Sequence, residues 1–139
     1  MARRYWLLKS DPETFGWAHL AAAKGRKTVW DGVRNYQARN TLRDDVKKGD
    51  GVLFYHSGDE KAVVGRCTVT RGGFPDPSDG AWTAIEITLD RPLPRPVTLE
   101  EMRGVPALSK MALLRKGSRL SVQPVTEGEW ATILETAGR

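Results

Sequence analysis

The run Trp30-Asp31-Gly32-Val33-Arg34-Asn35-Tyr36-Gln37-Ala38-Arg39-Asn40 holds two aromatics, two arginines, two asparagines and a glutamine in eleven positions. A core segment of that length would be aliphatic, and a plain loop would not carry both a Trp and a Tyr. Flat aromatic rings stack on flat bases, carboxamides hydrogen-bond base edges, and guanidinium groups hold phosphate. This mixture suits a site that reads a nucleobase better than one that breaks bonds.

Signatures of bond-breaking chemistry are sparse. His19 and His56 are 37 residues apart, and no Gly-x-Ser-x-Gly elbow is present. Gly72-Gly73 runs into Phe74-Pro75-Asp76, which fits a turn and not a phosphate cradle. Cys67 is the only cysteine, so neither an internal disulfide nor a cysteine-built metal site is available. Asp76 and Asp79 alone are too few ligands to predict a metal, and nothing in the chain calls for a cofactor. Lys9-Ser10, at a strand end, is the one pair that could serve as base and nucleophile.

The elements that must carry these residues alternate between strand and helix. Tyr5-Trp6-Leu7-Leu8 reads as a buried strand, and Asp11-Pro12-Glu13 turns the chain after it. Phe15 to Ala23 and Tyr36 to Lys48 read as helices. In the second, Ala38, Leu42 and Val46 form a buried stripe beside a basic stripe of Arg39, Arg43 and Lys47. Val52–Tyr55, Ala62–Val69 and Trp82–Leu89 read as strands. Pro75–Gly80 is a turn-rich connection, and Pro92–Pro96 is expected to break the chain. Thr98 opens a short helix, and Thr126-Glu127-Gly128-Glu129 is a capping box for a last helix that buries Trp130, Ile133, Leu134 and Ala137. Trp82, like Trp130, is expected in the core. Trp17 is expected in the core or on a lid, and Trp6 behind a site. These elements predict one α+β domain over residues 1–139, barrel-like and without regular βαβ units.

Residues 1–50 carry 11 Lys or Arg against 6 Asp or Glu, whereas residues 51–139 carry 11 of each. The whole excess of +5 therefore lies in the first part of the chain. A further acid-free stretch between Glu101 and Glu127 holds Arg103, Lys110, Arg115, Lys116 and Arg119. Two basic patches flanking a groove would attract a polyanion. No apolar stretch reaches the roughly 18 residues of a membrane span. With a single cysteine and no hydrophobic leader, a cytoplasmic protein is the expectation.

Several segments together carry a family resemblance. They are Lys9-Ser10-Asp11-Pro12, the run from Trp30 to Asn40, Leu42-Arg43, Gly49-Asp50, Tyr55-His56-Ser57, Pro75-Asp76-Pro77 and Arg119-Leu120-Ser121-Val122-Gln123-Pro124. In this order, from about residue 5 to 134, they resemble the EVE domain. Asp11 departs from the family's usual Glu with the charge kept, and the connection from Asp76 to Trp82 is short. The resemblance implies a PUA-like fold, a twisted β pseudo-barrel flanked by short helices, and kinship with the YTH domains. It also implies a reader of modified bases, chiefly methylated or hydroxymethylated cytosine.

Combined with the residue chemistry, this predicts a flipped base held between Trp30 and Tyr55. Ser10, Asn35, Ser57 and Gln123 would meet its polar edge, and Asp76 would accept from a cytosine amine. Lys9, Val33, His56 and Ser121 would complete the pocket. Arg34, Arg39, Arg43 and Arg119 would hold the nucleic-acid backbone. DNA and RNA are both open as partners, as are the modification and the oligomeric state. Two other classes also stand open: a small hydrolase of modified nucleosides with Lys9 as base, and a protein-interaction module.

Overall fold

The apolar runs around Leu7 and Leu53 form neighbouring strands, β1 (Tyr5–Ser10) and β3 (Gly51–His56), paired in parallel from Tyr5 opposite Gly51 to Ser10 opposite His56. All six residues of β3 are buried. Continuous apolar runs, in place of alternation, are what strands covered on both faces require. In this computed structural model, which describes residues 3–115 and 120–138, β1 and β3 lie within a six-stranded mixed sheet ordered β2-β5-β4-β3-β1-β6. Strand β2 is Lys27–Trp30, β4 Ala62–Asp76, β5 Asp79–Thr98 and β6 Val122–Val125. The class is α+β as expected, but the sheet is open: β2 and β6 are its two edges.

Strand parity divides the core in two. Trp6, Leu8, Val52 and Phe54 face one apolar cluster, shared with Leu20, Ala38, Leu42 and Val46. Leu7, Leu53 and Tyr55 face the other, shared with Met102, Leu108, Trp130 and Ile133. The first face is covered by α1 (Pro12–Phe15), α2 (Trp17–Ala22) and α3 (Tyr36–Asp44). The second is covered by α4 (Leu99–Arg103) and α5 (Glu127–Ala137). The capping box of α5 forms as expected, with Thr126 and Glu129 each satisfying the other's backbone N–H.

The helices before residue 50 are shorter than the periodicity predicts, for local reasons. The expected Phe15–Ala23 helix splits at Gly16, where Gly16 N–H donates to His19 Nδ1 and Trp17 N–H donates to His56 Nε2. Helix α3 ends at Asp44 because Asp50 accepts from Lys47 N–H at 2.9 Å and draws that turn away from the helical ladder.

The β4–β5 hairpin departs most from expectation. Gly72-Gly73 lies inside β4, not in a turn. A Cβ at Gly73 would meet the Leu42 carbonyl at 2.7 Å and Arg43 Cα at 3.0 Å, so glycine lets α3 lie directly on the strand. The Pro92–Pro96 segment continues β5 in place of breaking it. The register with β4 shifts across this stretch, from Pro92 opposite Gly65 to Val97 opposite Val63, so Pro94 and Pro96 lie in an irregularity where no regular ladder N–H is required. Beyond Thr88 one edge of β5 has no β2 partner.

Asp50 ties these parts together. Its buried carboxylate accepts from Trp6 Nε1 at 2.9 Å, Lys47 N–H at 2.9 Å and Arg4 N–H at 3.2 Å. Removing it strands a buried indole N–H. Asp50→Ala is therefore expected to lose about 2–4 kcal/mol of unfolding free energy in a urea titration, against less than about 0.5 kcal/mol for the exposed Arg71→Ala.

Candidate functional site

A cleft of about 460 Å³ opens where the ends of β1 and β2 meet the start of α1. Its lining is Lys9, Ser10 and Asp11 from β1 and the turn after it, Thr14 and Phe15 from α1, and Thr28, Val29, Trp30 and Asp31 from β2 and the residue beyond. The volume falls in the range of about 300–1,000 Å³ common for small-ligand sites.

Two aromatic side chains form its apolar walls. Trp30, half-buried, meets the fully buried Phe54 edge-on with ring centres 6.1 Å apart. Phe15, also half-buried, is drawn back over the cleft because its carbonyl accepts from the Ser10 hydroxyl. Asp11 caps α1, its Oδ1 accepting from Glu13 N–H at 2.9 Å. Lys9 N–H donates to the Ser121 carbonyl at 2.9 Å, which fixes the strand end. Partial burial lowers the Lys9 ammonium from its ordinary value. Asp31 is exposed at the rim.

The loop after Trp30 is held by a buried carboxylate. Asp76 Oδ2 accepts from Gly32 N–H at 2.9 Å and from Arg34 Nη1 at 3.1 Å. Its Oδ1 accepts from Ser78 N–H at 2.8 Å and Ser78 Oγ at 2.6 Å. Gly32 sits at φ +75°, a conformation that favours glycine, and so aims its N–H at the carboxylate. The Ser78 hydroxyl foremost, with the Gly32 and Ser78 N–H groups and Arg34, holds the Asp76 carboxyl well below the usual carboxylate range.

Of the residues expected in the pocket, Lys9, Ser10 and Trp30 line this cleft. The others lie elsewhere. Tyr55 points into the second core, on the face of β3 opposite Phe54, so it cannot face Trp30 across a base. Burial pushes its phenol up. Asp76 has no oxygen to spare, since four donors already use both, and its side chain is fully buried. Asn35 caps α3 by accepting from Ala38 N–H at 3.0 Å. Val33 is core.

His56 accepts from Trp17 N–H through Nε2 and pairs with Glu60 through Nδ1 at 2.7 Å, an arrangement that puts the ring proton on Nδ1. Ser57 N–H donates to the Ser10 carbonyl. Gln123 is buried, and its Nε2 donates to the Leu120 carbonyl at 2.9 Å. Sequence reasoning missed Phe15, Thr14, Thr28, Val29, Asp11 and Asp31 as lining residues. The signal for Phe15 was the Asp11-Pro12 turn, which brings α1 back over the end of β1.

Of the expected backbone contacts, Arg39 and Arg43 line a second groove of about 270 Å³ with Phe74 and Trp82. Arg34 is paired with Asp76 and lies 5.4 Å from the Trp82 ring centre. Arg119 lies outside the described residues. Trp82 is only half-buried and stacks on Tyr36, so it does not sit in the core. Among the described residues no cluster of His, Cys, Asp or Glu could hold a metal ion, and no helix is long and apolar enough to cross a membrane.

The EVE domain model matches residues 4–136. Mouse thymocyte nuclear protein 1 is 34% identical over 165 aligned residues, covering 94% of this chain and 72% of that protein. A crystal structure of an Agrobacterium tumefaciens protein superposes with a TM-score of 0.91 at 40% identity, over 97% of this chain and 93% of that one. The human THYN1 protein, crystallised in complex with 5-methylcytosine containing DNA, superposes with a TM-score of 0.90 at 29% identity, over 98% of each chain.

The state of Asp76 makes stability depend on acid. Its folded value is depressed, so its contribution is full above the unfolded value of about 4 and is lost as pH falls below it. Asp76→Asn is expected to lower unfolding free energy by about 2–3 kcal/mol at pH 7, because the amide presents donors to donors. The gap between variant and parent is expected to narrow steadily below about pH 4, read by urea denaturation across pH.

Proposed function

As the chain belongs to the EVE domain family, we propose that it reads a modified cytosine in DNA, taking the base out of the stack into the cleft beside Trp30. The observation that carries this reading is the 0.90 superposition, over 98% of each chain, on human THYN1 in complex with 5-methylcytosine containing DNA. The cleft supports it with suitable chemistry. Trp30 and Phe15 offer faces for stacking, worth about 1–3 kcal/mol per base, against a flipping cost of a few kcal/mol.

Asp31 takes the role expected of Asp76. It is an exposed carboxylate at the rim, able to accept from the cytosine amine. Lys9 donates to the base's acceptor edge, and Val29 and the Thr28 methyl give a 5-methyl group an apolar contact. A methyl in such a setting is worth only about 1–3 kcal/mol, so preference for the modified base is about 5- to 150-fold, not absolute. The arginines on the α3 side supply affinity that does not depend on sequence.

Binding proceeds without turnover in this reading. Stacking walls and hydrogen bonds suffice for it, whereas hydrolysis needs an activated nucleophile. Cys67 is buried and its thiol is pushed up by that burial, and Ser10 Oγ already donates to a carbonyl.

The test is a titration of matched DNA oligonucleotides carrying cytosine or 5-methylcytosine, with recovery of the oligonucleotide checked by mass spectrometry. The parent protein is expected to prefer the methylated strand and return it unchanged. Trp30→Leu, which keeps an apolar contact with Phe54 but removes the indole, is expected to weaken binding about 10- to 100-fold and abolish the preference. Equal binding of both strands by the parent, or time-dependent product lost in Lys9→Ala, would overturn the assignment.

A further inference from the structure

Tyr36 keeps 66% of its surface in solvent, yet its ring is fixed. It stacks on Trp82 with ring centres 4.9 Å apart and 27° between planes. The Arg39 guanidinium lies 5.0 Å from the Tyr36 centre and 5.8 Å from that of Trp82. Arg34 lies 5.4 Å from Trp82. The two rings come from separate elements: Tyr36 is the first residue of α3, and Trp82 is on β5 just past the hairpin turn. The α3 packing at Gly73 and the Asp76 bonds to Gly32 and Arg34 hold the two elements together.

The charge beside these rings is not fully neutralised. Arg34 pairs with Asp76, and Arg43 with Asp44. Arg39 instead donates to neutral acceptors, Asn40 Oδ1 and the Ala81 carbonyl. Arg71 rests over Phe74, 4.1 Å from its ring centre. The groove lined by Arg39, Arg43, Phe74 and Trp82 runs next to the stacked pair. An open aromatic face next to a cationic groove matches a base and its phosphate in both shape and charge.

We infer that Tyr36, braced by Trp82, is a second nucleotide platform: a base flanking the one in the cleft, on the same strand, stacks on Tyr36 while its phosphate lies against Arg39. This rests on the base-reading proposal above. The five-residue step from Asp31 to Tyr36 spans at most about 18 Å, so platform and cleft lie within a few nucleotides of each other.

The platform adds affinity and not modification preference, since stacking accepts any base. Its effect must therefore vanish with a ligand too short to reach it. The experiment compares the parent, Tyr36→Ala and Tyr36→Phe against 5-methyl-2′-deoxycytidine and against single-stranded 9-mers with one central cytosine or 5-methylcytosine.

Tyr36→Ala is expected to weaken 9-mer binding about 5- to 50-fold, equally for both bases, with nucleoside binding unchanged. Tyr36→Phe is expected to keep the parent's affinity. Unchanged 9-mer affinity in Tyr36→Ala, with the parent still preferring 5-methylcytosine, overturns the platform alone. Loss of the methyl preference in Tyr36→Ala moves Tyr36 into the reading pocket and also overturns it. A parent that binds no 9-mer, or binds both equally, overturns the base-reading proposal itself.

Discussion

A single buried carboxylate holds the functional face together. Asp76, at the end of β4, receives four hydrogen bonds from three directions: the loop after Trp30, the Arg34 side chain and the hairpin turn at Ser78. An ionised group with no solvent contact is tolerated only when its acceptor capacity is filled, and here it is. Because the loop is anchored, Trp30 and Asp31 stay at the cleft on one side of it and Tyr36 stays on Trp82 at the other. Without that anchor, Gly32 N–H and the Arg34 guanidinium would lose their acceptor, and the loop would be held by Val33 in the core and the Asn35 cap alone.

The site therefore divides its work by physical type. Shape and hydrogen bonding sit in the cleft, where half-buried groups such as Trp30 and Lys9 are shielded from water. A second group of positive charges lies outside it, with Arg39 and Arg43 on α3 and Arg71 on β4. The N-terminal excess of positive charge is consistent with this division, since Arg34, Arg39 and Arg43 all belong to it.

Much of the scaffold was legible in the sequence because it follows from burial. Two apolar runs read as strands, and the Ala38, Leu42 and Val46 stripe is buried as its spacing requires. Strand β2 was missed because Lys27–Trp30 is an edge strand with alternately exposed residues and only four positions. The lining of the cleft was legible in part. Trp30, Lys9 and Ser10 were found from composition and motif. Tyr55 was misplaced although parity carried the answer: Phe54 and His56 share one face of β3, and Tyr55 must take the other. Asp76 and Asn35 were read as ligand groups because a polar side chain in a motif looks the same whether it binds a ligand or caps the backbone. The hydrogen-bond partners distinguish the two: Asp76 accepts from Gly32, 44 residues away, and Asn35 from Ala38, three residues on.

The central claim is that a base occupies the cleft against Trp30. Five tryptophans give five indole N–H signals in a ¹H–¹⁵N NMR spectrum, and each sits in a different environment. Trp6 donates to Asp50 in the interior, and Trp130 is buried beneath Tyr5. Titration with a 5-methylcytosine oligonucleotide is expected to move the Trp30 indole signal most, with the Trp6 and Trp130 signals unmoved. A saturating titration that leaves the Trp30 signal in place would contradict the account.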